Sequence, residues 1–233
     1  MKKSFLLIAM LLMFGGSMFA QDFDLGVKVG YQTAKLSYKQ ADIKADFQNH
    51  LTFGLFGRVE LGRVYIQPEI LYYKNNNIFS LEATNISEGL LPGQHVTFTL
   101  NEANLQVPIL VGVRFLDFGV ATLRAHVGPT ANFTLASSTL FDKDFTLTGT
   151  DGETVNIDHN AEAFDTKSIA WGMQAGIGTD IIGKITLDIN YNFGLSKVFG
   201  RLNNTRLSNY FDFTNVDNTK QSMFLVTVGY KFL

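Results

Sequence analysis

From Phe23 onward the chain alternates apolar and polar residues in segments of about ten, the spacing of a strand with one oily face. The first sets Phe23, Leu25, Val27, Val29 and Tyr31 against Asp24, Gly26, Lys28, Gly30 and Gln32. A second sets Leu51, Phe53, Leu55, Val59 and Leu61 against Thr52, Gly54, Arg58 and Glu60, and a third sets Val64, Ile66, Ile70 and Tyr72 against Gln67, Glu69 and Tyr73. The fourth carries Leu105, Val107, Ile109, Val111, Val113 and Phe115 against Gln106, Gly112 and Arg114. In the second half, Leu123, Ala125 and Val127 oppose Thr122, Arg124, His126 and Gly128, and Ile169, Trp171, Met173, Ala175 and Ile177 oppose Gly172, Gln174, Gly176, Gly178 and Asp180. Ile185, Leu187, Ile189, Tyr191, Phe193 and Leu195 then oppose Thr186, Asp188, Asn190, Asn192 and Gly194. The last segment sets Phe224, Val226, Val228, Tyr230 and Phe232 against Thr227, Gly229 and Lys231.

The connections alternate in length. Segments one to two, three to four, five to six and seven to eight are joined by long polar stretches, whereas Gly62, residues 116–119 and residues 182–183 make tight turns. Long loops on one side and short turns on the other predict an all-β fold: an eight-stranded antiparallel up-and-down transmembrane β-barrel. Strands that alternate up and down sort the outward aromatics into two girdles. Tyr31, Phe53, Tyr72, Trp171, Tyr191 and Phe193 fall at the long-loop end, and Phe23, Phe115, Tyr230 and Phe232 at the short-turn end. Eight residues separate Phe23 from Tyr31, which at about 3.3 Å each and a tilt near 40° spans roughly 20 Å, close to the apolar band of such barrels. Pro68 and Pro108 fall inside segments three and four, where each removes a ladder donor, so a bulge or a local gap in pairing is expected there. Asp151-Gly152, between Phe145 and Ile157, predicts a hairpin inside the third long loop.

Ahead of the barrel, residues 1–20 have the form of a cleaved signal peptide. Lys2 and Lys3 supply the positive end, residues 5–14 form an apolar run, and Gly15, Gly16, Ser17 and Ala20 lead to the cut. That run is about half the roughly 20 residues of a spanning helix. The barrel domain is then 21–233, placed in the cell outer membrane. Composition agrees: 21 Phe, 8 Tyr and 21 Gly with 4 Pro suit curved, pleated surfaces. Cysteine is absent, which excludes disulfides and a cysteine lipid anchor. Removing Lys2 and Lys3 from 19 basic residues leaves 17 against 21 acidic ones, so no basic face invites nucleic acid.

The inward set holds the chemistry. Narrow barrels are filled by side chains, and charges there need partners. Lys28, Arg58, Glu69, Arg124, His126, Asp188 and Lys231 are expected to form a structural polar plug, with Glu60, Arg114, Gln174, Asp180 and Asn190 also facing inward. A proton or ion path is the functional alternative for the same groups. No catalytic residue, cofactor site or metal site is expected. Lipid-modifying barrels use lipid-facing His and Ser, and His126 has the opposite parity; His50, His95 and His159 lie in long-loop territory. Asp142, Asp144, Asp151, Glu153 and Asp158 make the third loop acidic without the ligand spacing of a dedicated calcium loop.

Several short motifs are similar to the PorT-type outer-membrane β-barrels of Bacteroidetes. They are Gln67-Pro68-Glu69-Ile70-Leu71-Tyr72-Tyr73, Leu105-Gln106-Val107-Pro108, His126-Val127-Gly128-Pro129, Gly176-Ile177-Gly178, Leu187-Asp188-Ile189-Asn190-Tyr191 and the closing Gly229-Tyr230-Lys231-Phe232. The terminal Leu233 departs from the aromatic that commonly ends such barrels. The resemblance implies an outer-membrane barrel with periplasmic termini, and the founding member serves protein secretion. With no catalytic constellation in the residues, the expected role is not enzymatic. It is that of a membrane-anchored interaction or scaffold module, surrounded by outer-membrane lipid. It would hold a protein partner through residues 75–103, 131–167 and 196–220 or through its periplasmic face, in secretion or adhesion. A small porin-like channel is the alternative, and a lipid-modifying enzyme the third class.

Overall fold

The computed structural model describes residues 22–37, 43–45, 48–82, 95–141, 145–148, 154–157, 168–196 and 220–233. Residues 1–20, expected to be a cleaved signal peptide, lie outside these residues. Eight strands build one closed antiparallel barrel: β1 (Asp22–Ser37), β3 (Gln48–Leu61), β4 (Val64–Glu82), β5 (His95–Asp117), β6 (Ala121–Phe141), β9 (Ile169–Ile181), β10 (Ile185–Gly194) and β11 (Lys220–Lys231). Each pairs with its neighbour in the chain, and β1 closes against β11, with Val29 opposite Val228. A short strand, β2 (Ile43–Ala45), pairs with β4 at Phe79–Leu81, and β7 (Phe145–Thr148) pairs with β8 (Thr154–Ile157) as a separate hairpin. The Asp151-Gly152 turn itself lies outside the described residues.

Three short turns join the strands at one end, and each contains a glycine with positive φ: Gly62 (66°), Gly119 (79°) and Gly183 (69°). These are left-handed conformations that a side chain resists. Ile182 shares that region at φ 52°, a strained position for a β-branched residue, with its amide bonded to the Val120 carbonyl at 2.8 Å.

Alternation decides inside from outside. Val29, Leu55, Ile70, Val111, Ile177, Ile189 and Val226 stand on the outer surface and are exposed, while Lys28, Arg58, Glu69, Arg124, Asp188 and Thr227 are buried. This is the inverse of a soluble core, and it is stable where lipid is the outer solvent. The outward aromatics pair across strands, as with Phe53 and Tyr72, whose ring centroids are 5.2 Å apart.

Proline produces gaps without slippage. Pairing between β3 and β4 stops at Phe56–Glu69 and resumes in the same register at Val59–Ile66 around Pro68. Between β4 and β5 the break falls between Pro68–Ile109 and Leu71–Gln106, around Pro108. The two true register shifts lie elsewhere, between β5 and β6 at Ala103/Asn104 and Arg114/Leu116.

One expectation needs correction. Residues 75–82, 95–103 and 131–141 are strand, not loop, so β4, β5 and β6 reach 19, 23 and 21 residues. Crossing the bilayer takes about 9–11 tilted residues, so roughly half of each strand stands outside the membrane. The sequence conceals this because Lys74-Asn75-Asn76-Asn77 is polar on both faces. A strand in water has no lipid to demand an oily side.

Candidate functional site

The inward parity of all eight barrel strands brings ten charges into the turn-side half of the lumen. Lys28 Nζ, on β1, lies 2.6 Å from Glu69 Oε1 and 2.7 Å from Asp188 Oδ2. Asp188 also accepts from Arg124 Nη2 at 2.6 Å, and Arg124 Nε donates to Asp180 Oδ1 at 3.0 Å. Arg124 further contacts the Thr186 hydroxyl. Asp180 is the junction: it takes Arg58 Nη1 at 2.5 Å and Lys231 Nζ at 3.3 Å on its second oxygen. Lys231 continues to Asp24 at 2.8 Å, and Glu60 receives Arg114 at 2.7 Å at the turn end. Five cations (Lys28, Arg58, Arg114, Arg124, Lys231) therefore face five carboxylates (Asp24, Glu60, Glu69, Asp180, Asp188).

Aromatic rings and amides fill the space between the charges. The Tyr65 ring lies under the Arg58 guanidinium at 5.0 Å, and the Phe56 ring under Lys28 at 4.9 Å. His126 accepts the Tyr65 hydroxyl at Nδ1 (3.1 Å), and its Nε2 faces Asn190 Oδ1 at 2.5 Å, which assigns the proton to Nε2. Gln67 ties Arg58 Nε at 2.6 Å to Glu69 at 2.5 Å. Losing one member would strand a buried charge at a cost of about 3–5 kcal/mol, whereas the intact set contributes little beyond an apolar filling of the same volume. What the charges secure is parity: polar residues on one face and apolar on the other leave each strand one register.

Toward the long-loop side the lumen changes character. Leu71, Leu110, Tyr73, Met223 and Leu225 are buried there with the uncharged amides Gln32, Asn75, Gln106, Gln174 and Asn192. Gln106 Nε2 reaches Gln174 Oε1 at 3.4 Å. Higher still, on the strand extensions, Glu102 is buried and joins no ion pair among the described residues. Burial pushes its carboxyl up to about 7.

A family model described as outer membrane protein beta-barrel domain matches residues 19–200. The chain belongs to this family. An outer-membrane barrel domain places it in the cell outer membrane. Among solved structures, the barrel is similar to Ail, the attachment invasion locus protein of Yersinia pestis, at 11% identity and a TM-score of 0.43, over 91% of this chain and 100% of that one. It is also similar to Neisserial surface protein A at 13% identity and a TM-score of 0.41, again over 91% and 100%. The N-terminal β-barrel domain of Pseudomonas aeruginosa OprF matches at 9% identity and a TM-score of 0.31, over 89% of this chain and 97% of that one. No curated protein matches the chain.

Within this outer-membrane barrel, Lys28, Arg58, Glu69, Arg124, His126, Asp188 and Lys231 are buried together in the lumen. Tyr65, Phe56 and Asp24 join them without having been singled out from the sequence. Parity carried the signal for Tyr65, since Val64 and Ile66 face outward, but a tyrosine beside apolar residues also fits a girdle. Among the described residues no group of three or more His, Cys, Asp or Glu side chains is arranged to hold a metal. The acidic residues of the third loop and His159 lie outside the described residues.

Proposed function

We propose that this outer-membrane barrel is a membrane-anchored interaction module whose β4–β5–β6 sheet carries a protein partner outside the membrane. The observation that carries this reading is the pairing of β4 and β5 without a break from Leu71–Gln106 to Glu82–His95, well past the girdle residue Tyr72. About ten residues beyond the bilayer, at about 3.3 Å each and tilted, lift that sheet roughly 25 Å. β6 follows it as far as Phe141, opposite Phe98. A structured sheet presents side chains in fixed order and loses less entropy on binding than an open loop. The lumen supports the same reading over a channel, because Arg58, Arg124, Tyr65, Gln67 and Asp188 fill its cross-section with essentially no solvent contact. The resemblance of its motifs to PorT-type barrels makes secretion the process in which a partner is first sought, with adhesion as the alternative.

The test is to replace residues 75–102 by an Asn-Gly turn, joining the paired residues Lys74 and Ala103 directly. Heat-modifiable migration on gels reports whether the trimmed barrel folds. Loss of a defined surface partner from the folded, trimmed protein is the expected result. Retention of every association would defeat the proposal.

A further inference from the structure

Just above the long-loop girdle, the outward face of β4, β5 and β6 changes abruptly from apolar to polar. The girdle rung is Tyr72–Leu105–Phe133. The next outward rung is Lys74–Ala103–Ala136, and the one after it Asn76–Asn101–Ser138. Between them the register shift leaves Leu135 without a partner on β5, and its side chain is exposed. A groove of about 410 Å³ lies on this face, lined by Lys74, Asn76, Asn101, Ala103, Ala136 and Ser138, with Glu102 and Ser137 between them at the opposite parity. The two alanines keep its floor low, and the ammonium, amides and hydroxyl supply its polar wall.

Each of the five lumen cations meets a carboxylate within 4 Å, whereas the exposed Lys74, like Arg63, Lys184 and Lys220, enters no ion pair among the described residues; what sets Lys74 apart is its place beside the groove. It faces outward, because its neighbours Tyr73 and Asn75 are buried inside. An exposed ammonium one outward rung above a tyrosine stands at the depth of the headgroups, where an anion is the natural complement.

We propose that this groove seats the phosphate of an outer-leaflet lipid headgroup. Lys74 provides the charge, and Asn76, Asn101 and Ser138 hydrogen-bond the ester oxygens and neighbouring hydroxyls. Continuity with the girdle selects a lipid: acyl chains lying against Tyr72, Leu105 and Phe133 carry their headgroup into the groove without leaving the bilayer. A soluble anion gains nothing from that apolar rung. The proposal does not depend on the partner-binding role of the sheet.

Native mass spectrometry of the refolded full chain tests it, with diphosphorylated lipid A as probe and the same lipid stripped of phosphate as comparison. Wild type is expected to retain the phosphorylated form in preference. Lys74→Gln should weaken retention about fivefold and Lys74→Arg should restore it, the effect of one basic residue at an anionic surface. Three results would overturn the assignment: equal retention by Lys74→Gln, equal retention of the dephosphorylated lipid, or displacement by inorganic phosphate, which marks a free-anion site. Lys74 is exposed, so the variant is expected to fold, and heat-modifiability checks that separately.

Discussion

Two buried carboxylates illustrate opposite solutions to the same problem. Asp180 takes contacts from Arg58, Arg124 and Lys231, while Glu102, buried in the strand extensions, meets no cation in an ion pair among the described residues. Glu102 therefore keeps its proton to about pH 7, against 4.5 when exposed, because burial penalises the charged form. Its neighbour Tyr73, itself buried, offers no positive charge. The folded state holds the proton more tightly, so the associated stability is complete below pH 4.5. It falls as pH climbs toward 7 and levels off above. A shift of this size amounts to on the order of 3 kcal/mol. Amide exchange in 75–82 and 95–102, corrected for intrinsic rate, is expected to be better protected at pH 5 than at pH 8. Glu102→Gln should abolish the difference, and a wild type with no pH dependence would refute it. Parity in the sequence put Lys28, Arg124 and Asp188 on one face, but which cation meets which carboxylate depends on barrel closure. Arg124 and Asp188 are 64 residues apart and adjacent only because β6, β9 and β10 lie side by side.

At the scale of elements, β9 shows how glycine placement makes room for the charges. Gly178 lies between Arg124 on β6 and Asp188 on β10, and a Cβ there would fall 2.0 Å from Asp188 Oδ1 and 2.9 Å from Arg124 Nη2. Gly176 meets Asn190 and His126 in the same way. The side chains in question are pinned by their own hydrogen bonds and cannot swing aside. Gly178→Ala is expected to lower stability by on the order of 3 kcal/mol, read as a lower urea midpoint in detergent micelles. Gly57→Ala is the control: a Cβ there meets nothing closer than 3.8 Å, so it should be near neutral. Equal effects of the two would remove the packing explanation. Alternation made all eight barrel strands legible, since lipid and lumen impose opposite demands on successive residues. The same cause hid the strand extensions and β2, which stand where neither demand applies. Pro68 and Pro108 announced a disturbance, and the backbone resolved it by omitting ladder pairs without shifting register.

For the molecule as a whole, the ion-paired lumen charges among the described residues balance at five against five, and that balance bears on permeation. An ion entering from the long-loop side passes the buried Glu102, then meets uncharged amides and buried Leu71, Leu110, Met223 and Leu225, then the layer of Arg58, Arg124, Asp180 and Asp188. To pass, it must separate pairs held at 2.5–3.0 Å and leave their partners unpaired, at about 3–5 kcal/mol for each broken pair. Several such losses at once make the crossing rare on the timescale of a bilayer recording. Wild type in planar bilayers is thus expected to give no resolved current steps. Arg58→Ala combined with Arg124→Ala removes the two largest fully buried side chains and leaves Asp180 with Lys231 and Asp188 with Lys28. The uncovered space then carries net negative charge, so the double variant should leak cations in preference to anions and unfold at lower urea. Steady current through the folded wild type would show that the pairs exchange partners readily, and the lumen would have to be treated as a path.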